Sequence, residues 1–340
     1  MSLRDIGKSS HPLQNGMQQV LDIYDQLDPQ PLETLAISTA REQPGLADAM
    51  QVLMRRRRLD PRDDLGVPVR RVTMDLPSGP VEARLYGTVR KGVPAPLMLY
   101  WHGGGFVLRT VEDEEFVPRS IAAATDGLVL ACGYRRGPEA RFPAAQDDAW
   151  AAYLWVSDNA AVQGWDRNRL ALIGEGAGGN LALNVALQVR DAGEIAPLSL
   201  VLIYPWVSSD FGGASHRDHA HAVPFNRAML HWMLDHYLRS PGDLNDPRMN
   251  LLAAELWGLP PVLIVAADID PLASDGLALA ERLSAAGVPV VHKSYAGVTH
   301  GFFGLAPVVR EAAQAQAAVA AELRKRLALG LRGRLAQAFA

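Results

Sequence analysis

The stretch Leu170-Ala-Leu-Ile-Gly-Glu-Gly-Ala-Gly-Gly-Asn180 decides the fold. Its first residues are an unbroken apolar run, which predicts a buried strand, and the segment 180–192 that follows is typical of a helix. The glycines between the two predict a sharp turn, because glycine adopts backbone conformations that other residues avoid. A strand, a tight turn and a helix in direct succession indicate an α/β protein.

The turn has the spacing of a nucleophile elbow, in which Gly-x-Ser-x-Gly presents a strained serine above a sheet. Here the five residues are Gly174-Glu-Gly-Ala-Gly178, so Gly176 occupies the serine position. The flanking glycines are kept and the attacking hydroxyl is absent. Neither Glu175, which should point elsewhere around the turn, nor Cys132, on a different predicted strand, is expected to replace it.

Composition limits the class of protein. The chain has 340 residues, 49% of them hydrophobic, which suits one large α/β domain with accessory segments. A formal charge of −4 predicts no general attraction to nucleic acid, and a single cysteine excludes an internal disulfide. The charged N-terminus and the shortness of the apolar runs predict no secretory signal and no membrane span, hence a soluble, cytoplasmic protein.

Apolar segments of β type alternate with helical segments from about residue 68 onward. The predicted strands are 67–74, 81–86, 97–101, 128–134, 170–174, 198–204, 262–266 and 288–295, and the predicted helices are 144–157, 180–192, 274–286 and 308–329. The first two strands are close together and alternate in polarity, which favours an antiparallel pair. The sequence therefore predicts a mostly parallel eight-stranded sheet with helices on both faces.

Two regions depart from this alternation and predict a helical cap. Residues 1–50 are helical and amphipathic, and residues 208–250 are an insertion with a helix near 225–238. The core is then divided into residues 51–207 and 251–340. Ligands bind at the strand ends of open α/β sheets, so both regions are expected to cover a binding site there.

Three further segments carry chemistry. His102-Gly-Gly-Gly-Phe106 follows a predicted strand, and its amides at Gly103 and Gly104, with that of Ala177, are candidate donors for an oxyanion hole. Asp270 and His300 follow the last two predicted strands, and the order elbow, acid, histidine is the order that α/β-hydrolases use.

The insertion contains a group of histidines, His216, His219 and His221. Their spacing matches no metal signature, which favours a solvated lid loop. The sequence therefore predicts neither a metal nor a cofactor.

These motifs together resemble one family. His102-Gly-Gly-Gly105, Tyr134-Arg135, Pro138-Glu139, Gly174-x-Gly-Ala-Gly-Gly179, Asp270-Pro-Leu272 and His300-Gly-Phe302 are similar to the motifs of the hormone-sensitive-lipase-like (bacterial family IV) carboxylesterases. The similarity covers residues from about 70 to 325.

The resemblance implies an α/β-hydrolase fold with a cap and hydrolysis of short to medium acyl esters through an acyl-enzyme. It implies Asp270 as the acid, His300 as the base, Gly103, Gly104 and Ala177 as oxyanion donors and Gly176 as the nucleophile position. It also implies a homodimer through the last strand. The chain departs from the family at Gly176 and at Arg136, where an apolar residue is usual.

Phe106, Trp206 and Phe211 are predicted to bind the substrate, although such residues also suit the core of a lid. Three hypotheses for function stay open at this point. In the first, serine is the native residue at 176 and glycine a substitution that leaves the esterase inactive or strongly impaired. In the second, the chain binds a small molecule without turnover, and in the third His300 and Asp270 drive a reaction that needs no serine.

Overall fold

The structure is a computed structural model that describes residues 12–60, 65–90 and 92–327. Its strands are β1 Val69–Leu76, β2 Gly79–Tyr86, β3 Ala95–Trp101, β4 Leu128–Cys132, β5 Trp165–Glu175, β6 Ser199–Ile203, β7 Val262–Ile269 and β8 Val290–Thr299. They form one sheet in the order β1-β2-β4-β3-β5-β6-β7-β8. The pairs β1·β2 and β2·β4 are antiparallel and the other pairs are parallel, which confirms the predicted mostly parallel eight-stranded sheet.

The helices connect and cover these strands. Their bounds are α1 Asn15–Gln26, α2 Ile37–Arg41, α3 Leu46–Arg56, α4 Phe116–Thr125, α5 Ala144–Gln163, α6 Ala177–Ala192, α7 Ala214–Asp218, α8 Arg227–Tyr237, α9 Ala273–Ala285 and α10 Arg310–Leu327. Helix α4 was not predicted. The last two residues of the predicted helix 308–329 lie outside the described residues, as does the N-terminal segment 1–11.

Strand residues alternate between two apolar cores, one on each face of the sheet. Leu97, Leu99 and Trp101 of β3 belong to the core that contains α5, α6 and α9. Met98 and Tyr100, between them, belong to the core that contains α1, α3, α4 and α10. Side chains alternate along a strand, so a strand that is buried on both faces is apolar throughout. This explains why the central strands appear in the sequence as continuous apolar runs.

The segment of residues 15–56, which contains α1, α2 and α3, is fastened to the loops above the sheet. Helices α1 and α3 pack on each other, and the guanidinium of Arg41 at the end of α2 forms two hydrogen bonds to Glu139, at 2.7 and 2.8 Å. Arg41 also donates to the carbonyl oxygens of Val107 and Gly137. Helix α3 continues across residue 50, so the helical segment on this side extends to Arg56.

The ends of four parallel strands meet at one edge of the sheet and carry the predicted site. β3 leads into His102, β5 into Gly176, β7 into Asp270 and β8 into His300. Parallel strands place their carboxyl ends side by side, which brings segments distant in sequence together. None of the described helices combines the length and the apolarity that crossing a membrane requires.

Candidate active site

Gly176 has the backbone geometry of a nucleophile elbow. It connects β5 directly to α6, with φ 53° and ψ −114°. A side chain at this φ is strained by about 1–3 kcal/mol, and glycine avoids that cost. The flanking glycines allow the close approach of chain segments, since a Cβ on Gly178 would overlap the carbonyl oxygen of Trp101, and one on Gly174 would overlap that of Gly178.

The space above Gly176 is open toward the histidine. A Cβ atom added to Gly176 would lie 3.7 Å from Nε2 of His300 and 3.9 Å from Cα of Gly103. Both distances are ordinary van der Waals contacts, so no neighbouring atom prevents a side chain here. A small side chain at position 176 would therefore lie between the imidazole and the loop of residues 103–105 that follows β3, the glycine loop.

His300 and Asp270 form a close hydrogen-bonded pair. Nδ1 of His300 lies 2.7 Å from Oδ2 of Asp270, and Oδ1 of Asp270 accepts a hydrogen bond of 2.9 Å from the amide of Leu272. Asp270 is fully buried, and the side chain of His300 is 17% exposed. A carboxylate only accepts hydrogen bonds, so in a neutral imidazole paired with it Nδ1 is the donor and Nε2, which faces position 176, is the acceptor.

Two aromatic rings hold the imidazole in this orientation. The ring of His300 lies 4.4 Å from the ring of Tyr204 and 4.3 Å from that of Phe225, measured between centroids. Tyr204 follows β6 and Phe225 belongs to the insertion, so residues of both regions position the imidazole. The packing restricts rotation of the imidazole and keeps Nε2 directed at the elbow.

The glycine loop after β3 is held from below by a buried pair. The ring of His102 stacks on that of Tyr134 at 4.4 Å, and the Tyr134 hydroxyl donates to the carbonyl oxygens of His102 and Gly103, each at 3.0 Å. Burial lowers the pKa of His102 to about 4, so its ring is neutral at pH 7. This pair fixes the course of the loop beneath the site.

The candidate oxyanion donors lie at the expected strand ends. Gly103 is close to the elbow, because a Cβ on it would be 3.3 Å from the carbonyl oxygen of Glu175. Gly104 has φ 93°, which favours glycine. In the part of the chain that the structure describes, the amides of Gly103, Gly104 and Ala177 donate to no protein acceptor. Their role as oxyanion donors stays a prediction.

Glu175 is engaged in a buried hydrogen-bond network of its own. Its carboxyl oxygens accept hydrogen bonds from the hydroxyl groups of Tyr204, at 2.6 Å, and Tyr100, at 3.0 Å. Burial raises the pKa of Glu175 above its ordinary value. The carboxyl group is thus engaged by two tyrosine hydroxyl groups, although Glu175 also lines the cavity that opens onto Gly176.

A small cavity of about 200 Å³ opens onto Gly176 and His300. Its apolar wall in the insertion comes from Pro224, Phe225, Met229 and Met233. The chain from α1 to α3 contributes further apolar residues. The chain between β3 and α4 contributes the charged residues Arg109, Asp113 and Glu114. Both cap segments therefore meet over the elbow.

The three predicted substrate-binding aromatics lie elsewhere. Phe106 is fully buried and stacks on Tyr237 at 4.5 Å between ring centroids, with Trp206 5.8 Å away on its other side. Phe211 packs edge-on against His216 and His231. None of the three is among the described residues that line the cavity. They form the apolar core under the cap, the second role that their spacing suggested.

Sequence reasoning overlooked the charged side of the cavity. Arg109, Asp113 and Glu114 follow the glycine loop within a few residues, and the acidic run Glu112–Glu115 was the available signal. Arg136 is not among the described residues that line the cavity, and its guanidinium donates to the carbonyl oxygens of Leu108 and Arg109, at 2.7 and 3.1 Å.

The histidines of the insertion are structural in part. Nε2 of His216 lies 3.0 Å from Oδ2 of Asp275, and His216 is fully buried. Ser215, beside it, is hydrogen-bonded to Ser274 at 2.6 Å. These contacts fasten α7 to α9, which begins three residues after Asp270. The solvated loop predicted for His216 is therefore wrong, because His216 is buried and hydrogen-bonded to α9.

The strand order, the elbow, the Asp–His pair and the glycine loop define an α/β-hydrolase. Residues 98–304 match the family described as the alpha/beta hydrolase fold, and the chain belongs to this family, in its hormone-sensitive-lipase-like branch of carboxylesterases. By family it is a carboxylesterase-type hydrolase, as the motifs predicted.

Three known proteins show the extent of the similarity. Carboxylesterase NlhH of Mycobacterium tuberculosis is 37% identical over 238 residues, which cover 68% of this chain and 74% of NlhH. A hyperthermophilic esterase from the archaeon Pyrobaculum calidifontis is 33% identical with a TM-score of 0.82, covering 92% of this chain and 98% of the esterase. A serine-to-alanine mutant of esterase rPPE complexed with (S)-Ac-CPA is 27% identical with a TM-score of 0.85, covering 94% of this chain and 99% of the mutant.

Proposed function

We propose that this chain binds short to medium acyl esters above the elbow, and that it hydrolyses them poorly or not at all because Gly176 supplies no hydroxyl group. The observation that carries the proposal is the geometry around position 176. A Cβ there would lie 3.7 Å from Nε2 of His300, and His300 is already paired with Asp270 at 2.7 Å. This geometry supports His300 as a base and Asp270 as its acid partner at a position without a nucleophile.

The chemistry expected of a serine at 176 follows from the same contacts. Its Oγ would extend from the Cβ toward Nε2 of His300, which would accept the proton as Oγ attacks the ester carbonyl. Asp270 would stabilise the imidazolium that forms. The amides of Gly103, Gly104 and Ala177 would then donate to the negatively charged oxygen of the tetrahedral intermediate.

The experiment that tests the proposal is the substitution Gly176→Ser, assayed with p-nitrophenyl esters of increasing acyl length. We expect kcat to rise on the order of 10³-fold or more over the unaltered chain, because an acyl-enzyme becomes possible. The matched control is Gly176→Ala, which adds the Cβ without the oxygen and should stay inactive. Equal rates for the Ser and Ala variants would reject the proposal.

Covalent labelling gives a second readout that does not depend on substrate choice. An alkyl p-nitrophenyl phosphonate should attach to the Ser variant and increase the mass of the peptide that contains residue 176. The unaltered chain and the Ala variant should remain unlabelled. Labelling of all three proteins would show that another residue is the nucleophile.

A ligand-binding role without turnover is favoured by one observation beyond the missing hydroxyl. The related esterase rPPE, with a serine replaced by alanine, is complexed with (S)-Ac-CPA, so a scaffold of this family can hold a small molecule in such a form. A bound ester at about 100 times its Kd should stabilise the unaltered chain by about 2.7 kcal/mol, measurable as a thermal shift. Recovery of the ester unhydrolysed would separate this role from a slow esterase.

A reaction without serine would depend on His300 acting on water. Its Nε2 faces the open space above Gly176, where a water molecule would fit the geometry of general-base attack. Such an activity would already be present in the unaltered chain, and His300→Ala should abolish it. Equal hydrolysis by the two proteins would exclude this route.

A further inference from the structure

Arg109 places a positive charge inside the cavity above the elbow. Its side chain packs on the glycine loop, because a Cβ on Gly104 would lie 2.9 Å from both Cβ and Cγ of Arg109. A Cβ on Gly45 would overlap Nη2, so the guanidinium lies directly against the residue that precedes α3. The side chain is 32% exposed and lines the cavity. The side chain of Arg109 therefore extends from the glycine loop to Gly45.

The guanidinium has no hydrogen-bond acceptor within the described residues. It forms an ion pair with Glu114, in which Nε and Oε1 are 3.7 Å apart, beyond hydrogen-bond distance. The neighbouring Arg41 and Arg136 differ, since Arg41 donates to Glu139 and to two carbonyl oxygens, and Arg136 to two carbonyl oxygens. A guanidinium offers five N–H donors in a planar fork, so those of Arg109 are available to a ligand that enters the cavity.

The carboxyl groups around Arg109 compensate its charge incompletely. Burial, followed by the proximity of Glu175, raises the pKa of Glu114 to about 8, so Glu114 is largely uncharged at pH 7. Burial also raises the pKa of Glu175. The carboxylate of Asp113 accepts hydrogen bonds from the amide and hydroxyl of Thr110, at 2.8 and 2.9 Å.

We propose that Arg109 binds a carboxylate group of the ligand, so that the preferred esters of this cavity are half-esters of short dicarboxylic acids. The inference rests on the proposed ester-binding function and names the substrate class of the same site. A carboxylate matches the planar guanidinium in two parallel hydrogen bonds, and charge-assisted pairs of this kind are stronger than neutral ones. The small volume, about 200 Å³, favours a short acid chain.

The test compares two esters that differ only at the far end, monoethyl succinate and ethyl levulinate, which carries a methyl ketone in place of the carboxylate. Their Kd values are measured by titration calorimetry with the unaltered chain. We expect monoethyl succinate to bind at least about tenfold more tightly, because a hydrogen bond to a charged group is worth more than a neutral contact. Equal Kd values would overturn the inference.

Three variants assign the preference to one side chain. Arg109→Gln should bind the two esters equally, and Arg109→Lys, which keeps the charge but not the planar fork, should keep part of the preference. Arg70→Gln removes the same charge from an exposed position on β1 and should bind as the unaltered chain does. A preference that persists in Arg109→Gln would overturn the inference.

If Arg109→Gln does not fold, the salt dependence of binding by the unaltered chain tests the same contact. Raising NaCl from about 0.05 to about 1 M should reduce the preference of the unaltered chain, since ions screen the pair. A preference unchanged by salt would contradict an ionic contact.

The Gly176→Ser variant separates the two proposals. Hydrolysis of ethyl levulinate as fast as of monoethyl succinate would leave the ester function standing and remove the role of Arg109. Failure to bind or hydrolyse either ester would remove both.

Discussion

Nε2 of His300 faces Gly176 across a gap that one side chain would fill, with 3.7 Å between Nε2 and a Cβ added to the glycine. Gly176 keeps the positive φ of 53° that an elbow nucleophile requires, although glycine itself has no need of it. The surrounding contacts hold this backbone conformation. The amide of Gly176 donates to Ile203 at 3.0 Å, and its carbonyl oxygen accepts from Trp206 at 2.9 Å.

The same backbone conformation predicts a loss of stability when a side chain is added. Gly176→Ala should lower the free energy of unfolding by about 1–3 kcal/mol, because the strain is conformational and the space is open. Urea denaturation of the two proteins measures it. Gly242→Ala, at an exposed position without a positive φ, is the control and should change stability by less than about 0.5 kcal/mol. Equal effects of the two substitutions would argue against strain at the elbow.

Gly178 is expected to tolerate no side chain. A Cβ there would overlap the carbonyl oxygen of Trp101, which is backbone and cannot rotate away. Gly178→Ala should therefore destabilise the fold by about 3 kcal/mol or more, or prevent the accumulation of folded protein. Thermal unfolding compared with Gly176→Ala tests the ranking. A smaller loss at 178 than at 176 would contradict the packing argument.

Asp270 should be required for any activity gained at position 176. In the Gly176→Ser background, Asp270→Asn is expected to lower kcat by about 10³–10⁴-fold with a smaller effect on KM, because an amide no longer fixes the imidazole with Nε2 as the base. Kinetics with a p-nitrophenyl ester measure this, and circular dichroism checks folding. A loss of less than tenfold in a folded variant would refute the role of Asp270.

The raised pKa of Glu114 predicts that the free energy of unfolding depends on pH. Burial raises its pKa from 4.5 to about 8, with Glu175 and Asp113 adding to the rise and Arg109 opposing it. Between about pH 5 and pH 8 the unfolded chain releases this proton and the folded chain keeps it, so the free energy of unfolding falls as pH rises. The stabilisation from Glu114 is therefore present below its unfolded pKa and lost as pH passes its folded value.

The substitution Glu114→Gln isolates this contribution. Urea denaturation between pH 5 and 9 should show a shallower fall in the variant, because glutamine does not titrate. Glu281→Gln, at an exposed position on α9, is the control and should follow the unaltered chain. Parallel curves for Glu114→Gln and the unaltered chain would contradict the raised pKa.

A feature could be predicted from the sequence where residues close together in the chain determine it. The strands were predictable because burial on both faces requires continuous apolar runs, as in Leu97 to Trp101. Helix α4, by contrast, was not among the predicted helices. The structure places Pro118 in the first turn of α4, where a missing amide hydrogen costs no intrahelical bond.

Two outcomes required the packing of distant segments. Phe106, Trp206 and Phe211 are apolar in any context, and only the placement of α8 and the insertion directs them into a core instead of the cavity. Arg109 belongs to the cavity because Gly45, far away in sequence, lies against its guanidinium. Neither a periodic pattern nor a motif in the sequence predicts that contact.

The sequence by itself determined the elbow, the glycine loop and the order of Gly176, Asp270 and His300, because glycine dihedral freedom and strand periodicity are properties of short segments. The tertiary structure alone decided that Nε2 of His300 faces the elbow and that Arg109 enters the cavity. Those distances arise from the order of strands in the sheet and from the packing of the cap, which depend on contacts between residues remote in the chain.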